Sequence, residues 1–264
     1  MTFSIRPCST NDEFTAVATL EMAIWDVRPA DAITPHMLHV IHHIGGIIMG
    51  AFDDEQMVGM AVATSMQQNG HLWSHMAGVL PAYQGQGIGY QIKQVQKEWA
   101  LAHHYTTIHW SFDPAMRRNA HFNFRQLGAT TRQYHKNFYG VMSDGLNAGV
   151  PSDRFEAIWD LSATQAPPKT PPNLPFLLCC DDNNQPQLGL DPNFDAPFYS
   201  IACPYDFPAI KVQNLDLALE WRHAMRDAFH RAFEHAYHVV DFVTDRQAQR
   251  CHYVLHKIDH PNAD

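Results

Sequence analysis

Residues 84–89, with the sequence QGQGIG, place three glycines at alternate positions between a predicted strand and a predicted helix. Glycine lets the backbone turn sharply, and without a Cβ its N–H group can approach a ligand closely. N–H groups at the start of a helix converge on one spot, where the positive end of the helix dipole adds to them. The junction therefore predicts a backbone site for phosphate oxygens that needs no lysine. Glycines that only allow tight strand–helix packing are the alternative.

Two common phosphate loops are excluded by their spacing. A Walker A loop requires Gly-Lys-Ser/Thr, which is absent from the chain. A dinucleotide-binding fold requires GxGxxG after the first strand of a βαβ unit, with an acidic residue about 20 residues later. Here the spacing is GxGxG, and three antiparallel strands are predicted before it. The glycines therefore indicate a different class of phosphate-binding loop.

The stretch VLPAYQGQGIG, residues 79–89, resembles the acyl-CoA-binding motif of the GNAT acetyltransferase superfamily. The family pattern is Arg or Gln, two residues, Gly, one residue, then Gly or Ala, and Gln84, Gly87 and Gly89 match it. The order of predicted strands and helices extends the resemblance over residues 3–160. It implies an α+β GNAT N-acyltransferase fold, in which a mixed, mostly antiparallel twisted sheet is flanked by helices. A narrower similarity is to a GNAT subgroup with an added C-terminal region.

The resemblance implies that acetyl-CoA or another acyl-CoA is the co-substrate. Its pyrophosphate would lie on the loop N–H groups, its pantetheine arm would pair with the preceding strand, and the N–H of Val79 would bind the oxyanion. Two asparagines in RNAHFN would bind the pantetheine amides, with helix capping as the alternative for Asn119. The residues expected to bind the cofactor are Val79, Gln84, Gly85, Gln86, Gly87, Ile88, Gly89, Tyr90, Asn119 and Asn123.

Transfer from a thioester to an amine requires a base that removes a proton from the amine. We predict His75 for this role, because strand alternation places residues 75, 77 and 79 on one face and histidine is neutral near pH 7. A half-buried histidine with a structural hydrogen bond is the alternative. Glu21 on the first helix and Asp113 after a later strand are rival bases, and either could instead bind the ammonium group of the acceptor.

The chain departs from the wider family at the acid that protonates the departing thiolate. Many GNAT proteins have a tyrosine where this chain has Phe124, which cannot donate a proton. Tyr134, Tyr139 or solvent are the alternatives. Arg154 could bind a substrate carboxylate in a bidentate manner, or it could pair with Asp153 or Asp144.

The composition of the chain narrows the possible partners, location and metal binding. The 264 residues carry a formal net charge of −9, which argues against a nucleic-acid partner. Five cysteines without a CxxC pair indicate reduced thiols in a cytoplasmic protein. The start lacks the pattern of a signal peptide and no apolar run suits a membrane span. His36, His39 and His43 share one predicted helix face, but no carboxylate or cysteine completes a ligand set, so no metal is predicted.

The predicted element order is β-α-α-β-β-β-α-β-α-β-β, with strands near 47–52, 56–66 and 71–80 and a helix over 88–104. We expect a GNAT N-acyltransferase domain over residues 1–161, a Pro-rich linker with a hairpin over 162–196, and a β-α-β-β unit over 197–264 with a long helix over 216–237. That unit repeats the order of residues 107–160, through half-domain duplication or by coincidence.

The sequence thus predicts an acyl-CoA-dependent N-acyltransferase that transfers an acetyl or succinyl group directly to an amine of a small molecule such as an amino acid. No cysteine adjoins the loop, so an acyl-enzyme has no obvious nucleophile. A homodimer is one option for the assembly. The alternative function is a catalytically inactive CoA-binding sensor or assembly module.

Overall fold

A computed structural model describes residues 3–142, 148–163, 170–189 and 193–258. These residues form two compact units. The first takes residues 3–110 and 160–163, and the second takes 111–142, 148–159, 170–189 and 193–258. The compact units therefore have boundaries that differ from those of the predicted domains 1–161, 162–196 and 197–264. Which parts of the chain fold independently stays a prediction.

The secondary structure follows the predicted order except for one additional helix, Phe207–Gln213, before the long helix of the C-terminal part. The strands are β1 Ser4–Pro7, β2 Ile47–Asp53, β3 Gln56–Ser65, β4 His71–Val79, β5 Thr107–Phe112, β6 Tyr134–His135, β7 Arg154–Asp160, β8 Phe176–Cys180, β9 Pro186–Leu188, β10 Phe198–Cys203, β11 Tyr237–Asp245 and β12 Arg250–Lys257. The helices are α1 Asn11–Trp25, α2 Pro35–His43, α3 Ile88–Ala102, α4 Arg117–Ala120, α5 Phe207–Gln213 and α6 Leu215–Glu234.

The first unit is built on a sheet in the order β1-β2-β3-β4-β5. Neighbours from β1 to β4 are antiparallel, which confirms the predicted meander, and β5 runs parallel to β4. Short turns after β2 and β3 fix this arrangement, because antiparallel strands can follow each other through tight connections. The mixed, mostly antiparallel sheet agrees with the predicted fold class.

Helices cover both faces of this sheet. α1 begins with a capping box between Thr10 and Glu13. Its apolar side packs with α2 on Met60 and Val62 of β3 in the main core cluster. On the other face, a Cβ added to Gly59 would lie 3.1 Å from Ile92 of α3. Since successive strand residues point to opposite faces, α1 and α3 lie on opposite sides of the sheet.

The second unit contains the sheet β11-β12-β10-β8-β9 and the antiparallel pair β6–β7. The predicted hairpin after the Pro-rich segment is present as β8–β9, and it belongs to this sheet through parallel pairing of β8 with β10. Long helix α6 buries an apolar stripe that includes Trp221, Met225 and Phe229. Phe229 contacts Phe155 of β7, with ring centroids 4.6 Å apart.

Three predicted boundaries are wrong. The predicted helix after β5 is a single α-helical turn, α4, followed by a π-helical turn over His121–Gln126. The strand expected over 130–139 is reduced to Tyr134–His135, with isolated bridges at Thr130 and Thr131, and it is followed at once by a turn in which Asn137 has φ of 50°. The long helix ends at Glu234, and Tyr237, expected at its end, opens β11.

Candidate functional site

The glycine-rich loop of the first unit joins β4 to α3 and is exposed at residues 84–87. Gly85 and Gly87 both have φ of 80°, a conformation that side chains rarely adopt. A Cβ at Gly85 would meet no atom within 4 Å, and at Gly87 only Gln91 Nε2 at 3.9 Å. These two glycines therefore serve the backbone conformation and not tight packing, which argues against the alternative explanation for them.

The N–H groups of this loop lie at the N-terminus of α3, and those of residues 85–90 are free to bind a ligand. Gln91 N–H donates to Gly87 O at 3.1 Å and begins the hydrogen-bond ladder of α3. Within the described ranges, the N–H groups of residues 85–90 donate to no protein acceptor. With the dipole of the 15-residue helix behind them, these groups form a site suited to phosphate oxygens.

Strand β4 presents one open edge beside the loop. Leu80 N–H donates to Val58 O at 2.9 Å, and Val79 lies opposite Gly59. In an antiparallel ladder the N–H groups alternate between edges, so Ala77 and Val79 direct theirs away from β3. β5 pairs with β4 only as far as Trp73 opposite His109, and no other described strand pairs with the edge beyond this point. The N–H of Val79 therefore faces the open edge, and its oxyanion role stays a prediction.

His75 lies in a β-bulge of β4. Ser74 pairs with Ala63 and Met76 pairs with Val62, so His75 is an extra residue between them. The simple alternation used to predict its orientation is therefore interrupted at this residue. The ring keeps solvent-accessible surface, yet desolvation by the protein around it lowers its pKa below the usual histidine value. A neutral imidazole at neutral pH suits proton removal.

Glu21 is half-buried on α1 and accepts a hydrogen bond from Ile33 N–H at 2.7 Å. Burial raises the pKa of its carboxyl group, and the hydrogen bond partly opposes this. Glu21 lies one helical turn before Trp25, on the same side of α1. A Cβ added to Gly78 of β4 would lie 3.0 Å from the Trp25 ring, so this side of α1 faces β4. Glu21 thus remains a rival base within the first unit.

Asp113 belongs to the second unit and is held in an ion pair. Arg222 of α6 binds both carboxylate oxygens, at 2.6 and 2.7 Å, and Ala115 N–H donates at 2.8 Å. Burial alone would raise the pKa of Asp113, but Arg222 outweighs it and lowers the pKa. The geometry assigns Asp113 a structural role, contrary to the catalytic role predicted for it.

The predicted asparagines also lie in the second unit. Asn119 is exposed within α4, which is preceded by Met116, so the capping alternative for Asn119 is wrong. Asn123 is buried in the π-helical turn beside Phe124. Phe124 packs on Phe112 with centroids 5.8 Å apart. Because Phe124 lies in an aromatic core, an apolar side chain fits this position. The cofactor roles of Asn119 and Asn123 stay predictions.

The alternatives for the thiolate acid have different surroundings. Tyr134 is buried and donates to Asp153 Oδ2 at 2.8 Å, and burial raises its pKa far above the usual value. Tyr139 is exposed, and its hydroxyl contacts Ser111 Oγ at 2.8 Å. Tyr134 therefore serves packing and the Asp153 network, whereas Tyr139 keeps solvent access.

Arg154 contacts Asp153, one of its two suggested partners, through the carbonyl group and not through the carboxylate. Arg226 binds both carboxylate oxygens of Asp153 at 2.9 Å, and Arg154 instead donates to the Asp153 carbonyl at 2.8 Å. Asp144, the other predicted partner, lies outside the described residues. Arg222 and Arg226 were not among the predicted residues, although two arginines one turn apart beside an apolar helix stripe indicate buried acidic partners.

Metal and membrane features give no further site. Among the described residues, no group of three His, Cys, Asp or Glu side chains could hold a metal ion. None of the helices in the described part of the chain combines the length and apolar character that a membrane span requires. All five cysteines are free thiols.

Two solved structures share the fold of this chain. An N-acetyltransferase from Staphylococcus aureus Mu50 is 16% identical, covers 61% of this chain and 100% of its own length, and has a TM-score of 0.51. The ribosomal-protein-S18-alanine N-acetyltransferase from Escherichia coli is 13% identical, covers 62% and 97%, and has a TM-score of 0.50. These similarities confirm the GNAT fold predicted for this chain.

The sequence comparison agrees with the fold. Residues 13–129 match the family model described as Acetyltransferase (GNAT) family. This range contains α1 from Glu13 onward, the open edge of β4, the glycine loop and α3. The match confirms the resemblance seen in residues 79–89. No curated protein matches the chain significantly.

Proposed function

We propose that the protein is an acyl-CoA-dependent N-acyltransferase that transfers an acetyl group, or alternatively a succinyl group, to an amine of a small molecule such as an amino acid. One observation carries the proposal. Within the first unit, the unpaired N–H groups of residues 85–90 lie at the end of a strand whose edge opens at Ser74. Together they suit a diphosphate joined to an extended arm.

The binding step follows from this geometry. The diphosphate of CoA accepts hydrogen bonds from the loop N–H groups at the start of α3. The pantetheine arm lies along β4, where Ala77 and Val79 direct N–H groups to the open edge. Gln84 Nε2 donates to Val79 O at 3.1 Å and so ties the loop to the end of β4. This contact keeps the two parts of the site in register.

The chemical step requires no acyl-enzyme. The amine nitrogen attacks the thioester carbonyl carbon while His75 takes the proton from the amine. The oxyanion accepts a hydrogen bond from Val79 N–H, and its collapse breaks the C–S bond. The CoA thiolate then takes a proton from solvent. Glu21 is the alternative base, because burial raises its pKa toward neutrality.

The acceptor and the location are inferred from composition. A net charge of −9 disfavours anionic polymers as acceptors and is compatible with neutral or cationic small amines. Five free thiols suit the reducing cytoplasm, where we place the protein. Size-exclusion chromatography with light scattering tests for the homodimer.

Turnover measurements test the proposal. Purified protein is incubated with acetyl-CoA or succinyl-CoA and a panel of amines, and release of free CoA thiol is followed. We expect acceptor-dependent release that His75→Gln lowers by about 100-fold or more. If Glu21→Gln lowers it instead, the base is Glu21. If no amine of the panel stimulates the release of CoA thiol, the proposed acyltransferase activity is wrong.

Phe124 favours the second candidate function, a CoA-binding sensor or assembly module without catalysis. It occupies the position at which many GNAT proteins carry a tyrosine acid, and it is buried. CoA binding measured by calorimetry, without turnover on any amine of the panel, would establish this candidate. Turnover with any acceptor excludes it.

A further inference from the structure

Lys93 places an ionisable group in the interior of the first unit. It lies on the sheet-facing side of α3, and only 4% of the residue is exposed. Its Nζ donates to Ser74 Oγ at 2.9 Å and to Gln96 Oε1 at 3.0 Å, and it lies 4.2 Å from the centre of the Trp110 ring. An ammonium group has three N–H donors, and these two oxygens and the indole face give each of them an acceptor.

The partners of Lys93 mark the point at which β4 and β5 separate. The last paired residues of the two strands are Trp73 and His109. Ser74 is the next residue on β4, and Trp110 is the next residue on β5. One side chain from α3 therefore contacts both strands at the first position where they no longer pair. The bulge at His75 begins directly after Ser74.

Stability does not account for a lysine at this position. Burial lowers the pKa of Lys93 to about 7, which shows that the charged amine is disfavoured there. Its neighbour Gln96 has a buried Nε2 atom without a hydrogen-bond partner in the structure. An apolar side chain of similar volume avoids the cost of burying a charge. We therefore look for a role of the Lys93 amine that an apolar side chain could not perform.

We propose that Lys93 is a positioning residue for acyl-CoA: by holding Ser74 and packing on Trp110, it keeps β4 and β5 apart and fixes the bulge at His75. The open edge of β4 is then presented to the pantetheine arm and the thioester. The inference rests on the proposed function, because it concerns the same site. It adds a residue that touches neither the loop nor the reacting atoms.

Two ligands separate this role from a general effect on folding. Acetyl-CoA occupies the whole site, whereas 3′-phosphoadenosine 5′-diphosphate carries the nucleotide and diphosphate of CoA without the pantetheine arm. In Lys93→Met, which keeps the length of the side chain, we expect affinity for acetyl-CoA to fall by about tenfold or more, since small displacements of positioning groups have effects of this size. Affinity for the nucleotide should not change. Titration calorimetry measures both.

Three further variants complete the test. Ser74→Ala removes the acceptor of the hydrogen bond from Lys93 and should lower the affinity for acetyl-CoA by a similar factor. The double variant should bind no more weakly than the more affected single variant, because both changes break one contact. Lys97→Met makes the same chemical change one turn along α3, at a half-buried position, and should bind both ligands as the wild type does.

The measurements distinguish a failure of the positioning role from a failure of the proposed function. Unchanged acetyl-CoA affinity in Lys93→Met and Ser74→Ala overturns the positioning role while the proposed function stands. An equal loss for both ligands also overturns it, because the loop itself would then be disturbed. A wild-type protein that binds neither ligand overturns the proposed function, and the positioning role with it, before any variant is measured.

Discussion

The ion pair between Arg222 and Asp113 allows a quantitative prediction for the second unit. The two side chains are 1% and 12% exposed, and the pair is bidentate. Replacing Arg222 with Met leaves the carboxylate buried without its cation, which typically costs about 3–5 kcal/mol. Ala115 N–H still donates to Asp113 at 2.8 Å. We therefore expect the free energy of unfolding to fall by about 3 kcal/mol, the lower end of this range.

The pH dependence of this loss has a defined sign. In the wild type, burial acts to raise the pKa of Asp113 but Arg222 lowers it below 3.8, so the pair stabilises above that pH and the contribution disappears as pH falls through the lowered value. In Arg222→Met the largest contribution that lowers the pKa of Asp113 is lost, and burial, opposed only by the Arg154 charge and the Ala115 N–H, raises it. The carboxyl group can then take up a proton, so the deficit should shrink between about pH 8 and pH 5.

Urea unfolding followed by circular dichroism measures these free energies. The wild type, Arg222→Met, Asp113→Asn and the double variant form a cycle, and we expect a coupling energy of about 2 kcal/mol. Arg28→Met is the control, because it removes an exposed ion pair with Asp31 and should leave the unfolding curve unchanged. A loss below about 1 kcal/mol, or the same loss at both pH values, would refute the reasoning.

Three further changes give expected outcomes. Lys93→Met should raise the melting temperature: burial lowers the folded pKa from 10.5 to about 7, equivalent to roughly 5 kcal/mol. Wild-type stability should rise with pH between these values without a matching rise in the variant; calorimetric scans showing parallel pH dependences would contradict this. Gly78→Ala should lower stability by about 1–3 kcal/mol, because the new Cβ lies 3.0 Å from Ile24 and the Trp25 ring; an unchanged thermal melt argues against that packing. Tyr134→Phe should cost about 1–2 kcal/mol in urea unfolding through the lost hydrogen bond to Asp153, and no loss would show that this bond contributes little.

The elements that sequence reasoning predicted well are those whose signals are local. β2, β3 and β4 are apolar runs separated by short polar turns, and each boundary lies within a residue or so of its prediction. Thr10 and the glycines at 85–89 likewise act through neighbouring backbone groups. For the same reason the fold class and the loop could be predicted before any coordinates.

The parts that sequence reasoning missed depend on distant partners or on single-residue irregularities. Arg222 lies 109 residues from Asp113, so nothing near Asp113 indicated that its carboxylate is neutralised. The bulge at His75 depends on pairing with β3 and has no local sequence pattern. Lys93 and Gln96 did carry a signal, because they lie on the buried side of α3 with Ile88, Ile92 and Ala100. A lysine on such a face indicates a buried polar cluster.

The most direct test of the central claim is calorimetric titration of CoA into the wild type, Gly87→Val and Gly45→Val. Both glycines have positive φ, 80° and 88°, so the two substitutions impose similar backbone strain, but only Gly87 lies in the loop. We expect the wild type and Gly45→Val to bind CoA equally, and Gly87→Val to bind at least about tenfold more weakly because its N–H groups no longer converge. Equal affinities for the two variants, or no binding by the wild type, would contradict the account.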